Sequence, residues 1–242
     1  MTRADQFLFE HGFAASRTEA QAAIRAGLVR VNGAVLDKPS RSLEESAAVQ
    51  YRKPHPFVSR GGVKLAAALE QFALSPEGRV ALDIGASTGG FTEVLLCGGA
   101  SKVYAIDVGH AQMNAALARD RRVTARDGVN ARDLTASHVP QAPEAITVDV
   151  SFIGLKLVLP PALEMAASGA WLVALVKPQF EVGRDWIGKG GIVRDGEAQD
   201  AALKDIVAWL DGQKGWSVQG TMESPIQGGD GNKEFLIAAT KA

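Results

Sequence analysis

Val80-Ala-Leu-Asp-Ile-Gly-Ala-Ser-Thr-Gly-Gly-Phe-Thr-Glu93 decides how this chain is read. An apolar run ends at Asp83, a glycine-rich turn follows, and Phe91, Val94 and Leu95 open an amphipathic segment. The pattern is strand, tight turn, helix, with an acid at the strand tip. Gly85, Gly89 and Gly90 are placed to let the backbone take positive φ and approach a ligand closely. The helix start would offer unpaired N–H groups to a carboxylate or phosphate. Lys102-Val-Tyr-Ala-Ile-Asp107 reads as the next strand. Asp107 follows Asp83 near the ~20-residue offset at which an acid binds ribose hydroxyls in nucleotide-binding βαβ units.

The turn has the spacing G-x-x-x-G-G, not the G-x-G-x-x-G of dinucleotide enzymes, and the chain contains no G-x-x-x-x-G-K-[ST] phosphate loop. An acid just before the turn repels a pyrophosphate but suits a ligand with an ammonium group. S-adenosylmethionine carries one, with a carboxylate, a sulfonium and a ribose. Asp83 would then face the ammonium, the Ser87-Thr88-Gly89-Gly90 turn would hold the methionine part, and Asp107 would take the ribose.

Working outward, 242 residues suffice for one large domain or a large and a small one. A hydrophobic content of 46% allows a full core. The net charge of −1 means that nucleic acid would have to be met by a local patch rather than a global field. The single cysteine, Cys97, excludes an intrachain disulfide and a C-x-x-C metal site, so no metal is expected. Cys97 is read as lying on the apolar face of the helix after the glycine turn, a buried inert thiol. The start lacks the layout of a signal peptide, and no apolar run approaches a membrane span. A cytoplasmic location without membrane partners is expected.

Residues 1–56 read as a small α/β domain with a linker. Ser16-Arg-Thr-Glu19 is a capping-box pattern, Asn32-Gly33 is a hairpin signal, and Val49 and Tyr51 suggest a last short strand. Tyr51-Arg-Lys-Pro-His-Pro56 is the linker candidate. Residues 57–242 alternate strand patterns (80–84, 102–107, 122–125, 145–149, 171–177, 216–223, 234–240) with helical segments, the clearest at 61–72, 154–167 and 198–210. Pro160-Pro161 should kink one helix or split it. The whole implies a doubly wound, Rossmann-like α/β sheet of seven strands. The last two strands are joined by a loop at 224–233 without a crossover helix, so the final strand is expected to run antiparallel.

Polar residues stand where apolar ones would be expected. Lys64 lies among Val63, Leu65, Ala66 and Leu69, Asp149 ends the fourth strand of this sheet, Lys177 ends the fifth, and Glu234 begins the last. Ligands in such sheets bind beyond the carboxyl ends of the strands. All four should therefore gather at one rim, whereas any one alone would be read as part of a structural ion-pair network. Lysine is protonated at neutral pH and must shed its proton to act as a base. A neutral Lys177, oriented by carboxylates, could take the proton of a hydroxyl as its oxygen attacks a sulfonium methyl. The arrangements for other methyl acceptors are missing. Cys97 is misplaced for carbon-5 pyrimidine chemistry, and Asp149-Val-Ser-Phe152 lacks the prolines usual for exocyclic amines.

With these residues in view, the chain resembles the TlyA/hemolysin A family, which joins an RNA-binding domain of the ribosomal-protein S-four type to an FtsJ-like ribose 2′-O-methyltransferase. The matching stretches are Val58-Ser-Arg-Gly-Gly-Val-Lys-Leu65, Asp83–Glu93, Asp149-Val-Ser-Phe-Ile153, Leu175-Val-Lys-Pro-Gln-Phe-Glu-Val-Gly183 and Gly231-Asn-Lys-Glu-Phe235. The resemblance implies a catalytic tetrad of Lys64, Asp149, Lys177 and Glu234, with S-adenosylmethionine as cofactor. It also implies cytidine ribose hydroxyls in ribosomal RNA as substrate. The family's acid after the third strand falls on Asp127, in Arg126-Asp-Gly-Val-Asn130, which implies a contact to adenine. Arg3, Arg17, Arg25 and Arg30 of the small domain, with Arg60 in the Val58–Leu65 motif, are the candidate RNA contacts. The glycine-rich run 179–195, with Arg184 and Lys189, reads either as an RNA-closing lid or as a disordered excursion.

Overall fold

The computed structural model describes residues 1–14 and 16–242, and the chain forms two compact units, Met1–Pro56 and Phe57–Ala242. The first contains β1 (Thr2–Arg3), α1 (Ala4–Glu10), α2 (Arg17–Arg25), β2 (Val29–Val31), β3 (Ala34–Val35), β4 (Ser42–Leu43) and β5 (Val49–Tyr51). Ser16 caps α2, its Oγ accepting the Glu19 N–H at 3.1 Å. Asn32 and Gly33, at φ 51° and 82°, turn β2 back into β3 with the doubly left-handed geometry that suits strand twist. β2 also pairs antiparallel with β5, and Val29 and Val31 face a core of Phe7, Leu8, Ile24, Leu36 and Leu43.

The second unit contains α3 (Gly61–Gln71), β6 (Val80–Ile84), α4 (Gly90–Cys97), β7 (Lys102–Ile106), α5 (Ala115–Ala118), β8 (Val123–Arg126) and β9 (Ala145–Val148). It continues with α6 (Leu155–Met165), β10 (Trp171–Val176), α7 (Pro178–Glu181), α8 (Gly196–Asp211), β11 (Trp216–Glu223) and β12 (Phe235–Lys241). The sheet order is β11-β12-β10-β9-β6-β7-β8. β12 runs antiparallel to both neighbours, and the other pairings around β6 and β9 are parallel. From β6 the chain winds outward through β7 and β8, then returns to place β9 and β10 on the other side. The switch point, where such sheets bind ligands, is therefore between β6 and β9.

Alternation along the strands divides the core. Leu82, Ile84, Ile106, Ile146, Val148 and Leu172 face the side covered by α6 and α8. Ala81, Val103, Ala145, Val173 and Leu175 face α3 and α4. β10 is buried at every position, as a central strand covered on both faces must be. Despite Pro160 and Pro161, α6 is one helix rather than two pieces. Its end is held by Lys241, whose Nζ donates to the carbonyls of Leu163 (3.0 Å) and Ala166 (2.7 Å). Cys97 is exposed, contrary to the sequence reading. It is the last residue of α4, followed by the exposed Gly98 and Gly99, so no further helical turn covers it. Among the described residues no helix is long and apolar enough to cross a membrane.

Candidate active site

Strand register brings the polar residues together. Val176 pairs with Phe235 across the antiparallel β10–β12 seam, so Lys177 and Glu234, one step beyond, stand at the same rim. Asp149 continues β9 there, its N–H donating to the Ile84 carbonyl of β6 (2.9 Å). The four residues form two ion pairs. Lys177 Nζ lies 2.6 Å from Asp149 Oδ1, and Lys64 Nζ pairs with Glu234 Oε2. Lys64, Lys177 and Glu234 are buried, and Asp149 keeps an edge to solvent. Lys177 Nζ also donates to Ser151 Oγ (3.0 Å), a partner that nothing in the spacing pointed to.

The glycine turn shapes two adjoining cavities. Gly85 (φ +79°) and Gly89 (φ +96°) hold positive φ as expected, but Gly90 does not. Gly90 is glycine because a side chain there would overlap Ser59 Oγ and press on the Gly62 N–H, so it lets the starts of α3 and α4 touch. Ser87 instead takes positive φ (46°) and donates its N–H to Asp107 Oδ2 (2.7 Å). One cavity, of about 420 Å³, is lined by Ile84, Ile106, Asp107, Val108, Val129 and Asn130 among others. The second, of about 240 Å³, lies against Arg60, Gly61 and Lys64 at the start of α3 and Thr88 and Gly90 at the start of α4. Gly85, Ser87 and Asp149 line both, so the cavities meet at Asp149. Apolar walls with an acid suit an adenosine, and the starts of two helices suit a carboxylate.

Asp83 does not face either cavity, which corrects the expected contact to an ammonium. Alternation puts it on the same sheet face as Ala81, beneath α4, where Thr92 Oγ1 (2.6 Å) and Thr147 Oγ1 (2.9 Å) donate to its two oxygens. Burial and the nearby Asp149 charge raise its pKa from 3.8 to about 6, against the pull of the threonine bonds. A cation in the adjoining space would relieve that buried charge. An acid with a raised folded-state pKa contributes stability that is complete below its unfolded value and lost as pH rises through about 6. Asp83→Asn should flatten this limb, and at pH 8 the variant should exceed the wild type by on the order of 1–3 kcal/mol. Denaturant titrations at pH 5 and 8 check this; equal pH slopes for the two proteins would rule it out.

Asp107 is held ready, with Oδ1 accepting the Gly109 N–H (2.7 Å) and Oδ2 that of Ser87. Asp127, to which the resemblance gives a contact to adenine, is exposed, accepts the Ala111 N–H (2.7 Å) and stays outside the cavity lining. Val129 and Asn130, just beyond it, line the cavity instead. Sequence reading also missed Gln112, which accepts a bond from Ser87 Oγ (3.1 Å), and Phe152. Phe152 is 91% exposed at φ +66°, with its ring 5.2 Å from that of Phe180. Its place after the strand-end acid was the available signal.

In the first unit, Arg25 and Arg30 are exposed. Arg3 and Arg17 are half-exposed and converge on Asp5, a fully buried acid that also accepts from Gln21 Nε2 (2.7 Å). The Arg3 guanidinium foremost, with Gln21 and Arg17, holds the Asp5 carboxyl well below the usual carboxylate range. Arg60 belongs to the second unit, at the wall of the smaller cavity.

Fold and site together define an α/β methyltransferase. The FtsJ-like methyltransferase family matches residues 57–241, and the S4 domain family matches residues 2–49. A Bacillus subtilis protein provisionally named an rRNA methyltransferase, YqxC, is 43% identical over 97% of this chain and 84% of its own. The 16S/23S rRNA (cytidine-2′-O)-methyltransferase TlyA of Mycobacterium tuberculosis is 41% identical over 97% of this chain and 88% of its own. The solved structure of a protein provisionally named a hemolysin, from Streptococcus thermophilus, superimposes with a TM-score of 0.79 at 41% identity, covering 100% of this chain and 88% of that one. The chain belongs to the TlyA/hemolysin A family of FtsJ-like methyltransferases.

Proposed function

We propose that this protein transfers a methyl group from S-adenosylmethionine to the ribose 2′-hydroxyl of a cytidine in ribosomal RNA. The observation that carries the reading is the meeting of the two cavities at Asp149, whose carboxylate holds Lys177. Bound across them, S-adenosylmethionine would supply an electrophilic methyl group on its sulfonium. Asp107 would hold the ribose, the 87–90 turn the methionine part, and Asp83 would support that turn through Thr92. A neutral lysine amine has two N–H bonds and one lone pair. With one N–H bond donated to Ser151 Oγ and the Asp149 carboxylate alongside as ion partner, the lone pair of a neutral Lys177 would be left to accept the hydroxyl proton. The Lys64–Glu234 pair supplies a second, charge-balanced anchor at the same rim.

The named activity of the Mycobacterium tuberculosis relative supports the substrate, and the S4 domain match supports binding to RNA. Of the four candidate arginines, Arg25 and Arg30 are exposed and face no acid among the described salt bridges, whereas Arg3 and Arg17 share their charge with Asp5. Affinity for rRNA should then fall steeply with salt. Incubating rRNA or ribosomal subunits with the protein and labelled cofactor, then mapping 2′-O-methyl groups, tests the reaction; label found only on bases would refute it. Asp107→Ala should weaken S-adenosylmethionine by roughly 1–3 kcal/mol in calorimetry, the cost of stranding hydrogen-bonded groups. Unchanged affinity would remove Asp107 from the ribose site.

A further inference from the structure

Beyond the tetrad, one buried side chain ties three segments to it. Asn232 is 1% exposed. Its Oδ1 accepts the Val193 N–H (3.0 Å), and its Nδ2 donates to the Gly191 carbonyl (3.0 Å). The Val193 carbonyl accepts from Gln199 Nε2 (2.6 Å), and Gln199 belongs to α8, whose Ile206 and Leu210 are in the core. On its other side the Asn232 carbonyl accepts the Gly228 N–H (2.9 Å), and the Gly231 N–H closes back on Gly228 (3.0 Å). The turn so formed backs directly onto Glu234: a Cβ on Gly228 would lie 2.5 Å from Glu234 Oε1. With Oε1 against the turn, Oε2 is the oxygen that meets Lys64.

We propose that Asn232 is a positioning residue for the transfer site. It locks the 228–231 turn to the frame of α8, sets the Glu234 carboxylate against that turn, and through it fixes the Lys64 ammonium. The chemistry requires asparagine. One donor and one acceptor face a carbonyl and an N–H; aspartate lacks the donor and an apolar residue lacks both, which would strand buried backbone groups. It also makes residues 191–193 a fixed wall of the rim rather than a moving lid.

The catalytic part of this proposal rests on the methyl-transfer reading, so its test has two arms. In the first, wild type, N232A, E234Q and the double variant are compared by steady-state kinetics. N232A should lower kcat about 10- to 100-fold, the scale of a small misplacement of reacting groups, with little change in the KM for S-adenosylmethionine. If Asn232 acts through Glu234, the double variant is no slower than E234Q alone; losses that multiply would overturn the proposal. In the second arm, the Lys64 Nζ signal is followed by NMR in 15N-lysine-labelled protein, with or without turnover. N232A should shift it as E234Q does, and an unshifted signal would overturn the positioning role. No methyl transfer by the wild type, with the shift present, would overturn only the reading of the reaction. Should N232A fail to fold, Gly228→Ala displaces the same carboxylate from the turn. It should show the same kcat loss and Lys64 shift, and wild-type values in folded G228A would refute the mechanism.

Discussion

Lys177→Ala is expected to abolish turnover by about 100-fold or more, the usual scale for a lost general base, while leaving the fold and cofactor affinity in place. The fold should survive, at some cost in stability, because the Asp149 side chain keeps an edge to solvent although its buried Oδ1 loses the lysine that faces it. Cofactor affinity should survive because Lys177 lines neither cavity. Lys177→Arg should fail as well. A guanidinium keeps its proton at any accessible pH and has no lone pair to offer, however well it pairs with Asp149. Wild-type kcat should rise with pH, since only the deprotonated amine can accept the hydroxyl proton. The decisive observation is the arginine variant: near-wild-type turnover with a flat pH profile would show that water takes the proton and that the lysine only positions.

Gly85→Ala should cost stability and both halves of the site together. At φ +79° an alanine carries a backbone penalty of about 1–2 kcal/mol, and its Cβ would overlap the carbonyl of Asp149. Displacing that backbone adds about 1–3 kcal/mol. A total of roughly 2–5 kcal/mol is a large share of an ordinary domain's 5–15 kcal/mol, and Tm should fall by on the order of 5–15 °C. Because the displaced residue is Asp149, cofactor affinity and turnover should fall with it. Gly169→Ala is the control: its φ is similar, +75°, but nothing lies within 4 Å of the added Cβ. Equal melting losses in the two variants would show that the approach to Asp149 carries no energy.

The tetrad was legible because strands of this sheet are apolar runs, in which a terminal Lys, Asp or Glu is conspicuous, and because the antiparallel last strand returns Glu234 to the same rim. What escaped reading depends on contacts between distant segments. β1 and β4 are two residues each and form only through long-range pairing, with no periodicity to show them. Asp5 looks like an ordinary acid in a first helical turn until Arg3, Arg17 and Gln21 are seen around it. Val129, Asn130 and Gln112 reach the cavity by loop conformations that spacing does not encode. Asp83 was misread for a reason available in the sequence: parity with Ala81 turns it toward α4, and strand-tip position alone does not decide where a side chain points.

β12 has a consequence in time. It is made after the other strands of its sheet, yet it takes an interior place, between β10 and β11, and is the neighbour on which β11 depends. During synthesis the emerging chain can order β6 to β10, but β11 has nothing to pair with and Lys64 lacks the carboxylate of Glu234. A chain that stops short of residue 234 therefore lacks both the strand that joins β11 to the sheet and the carboxylate that meets Lys64.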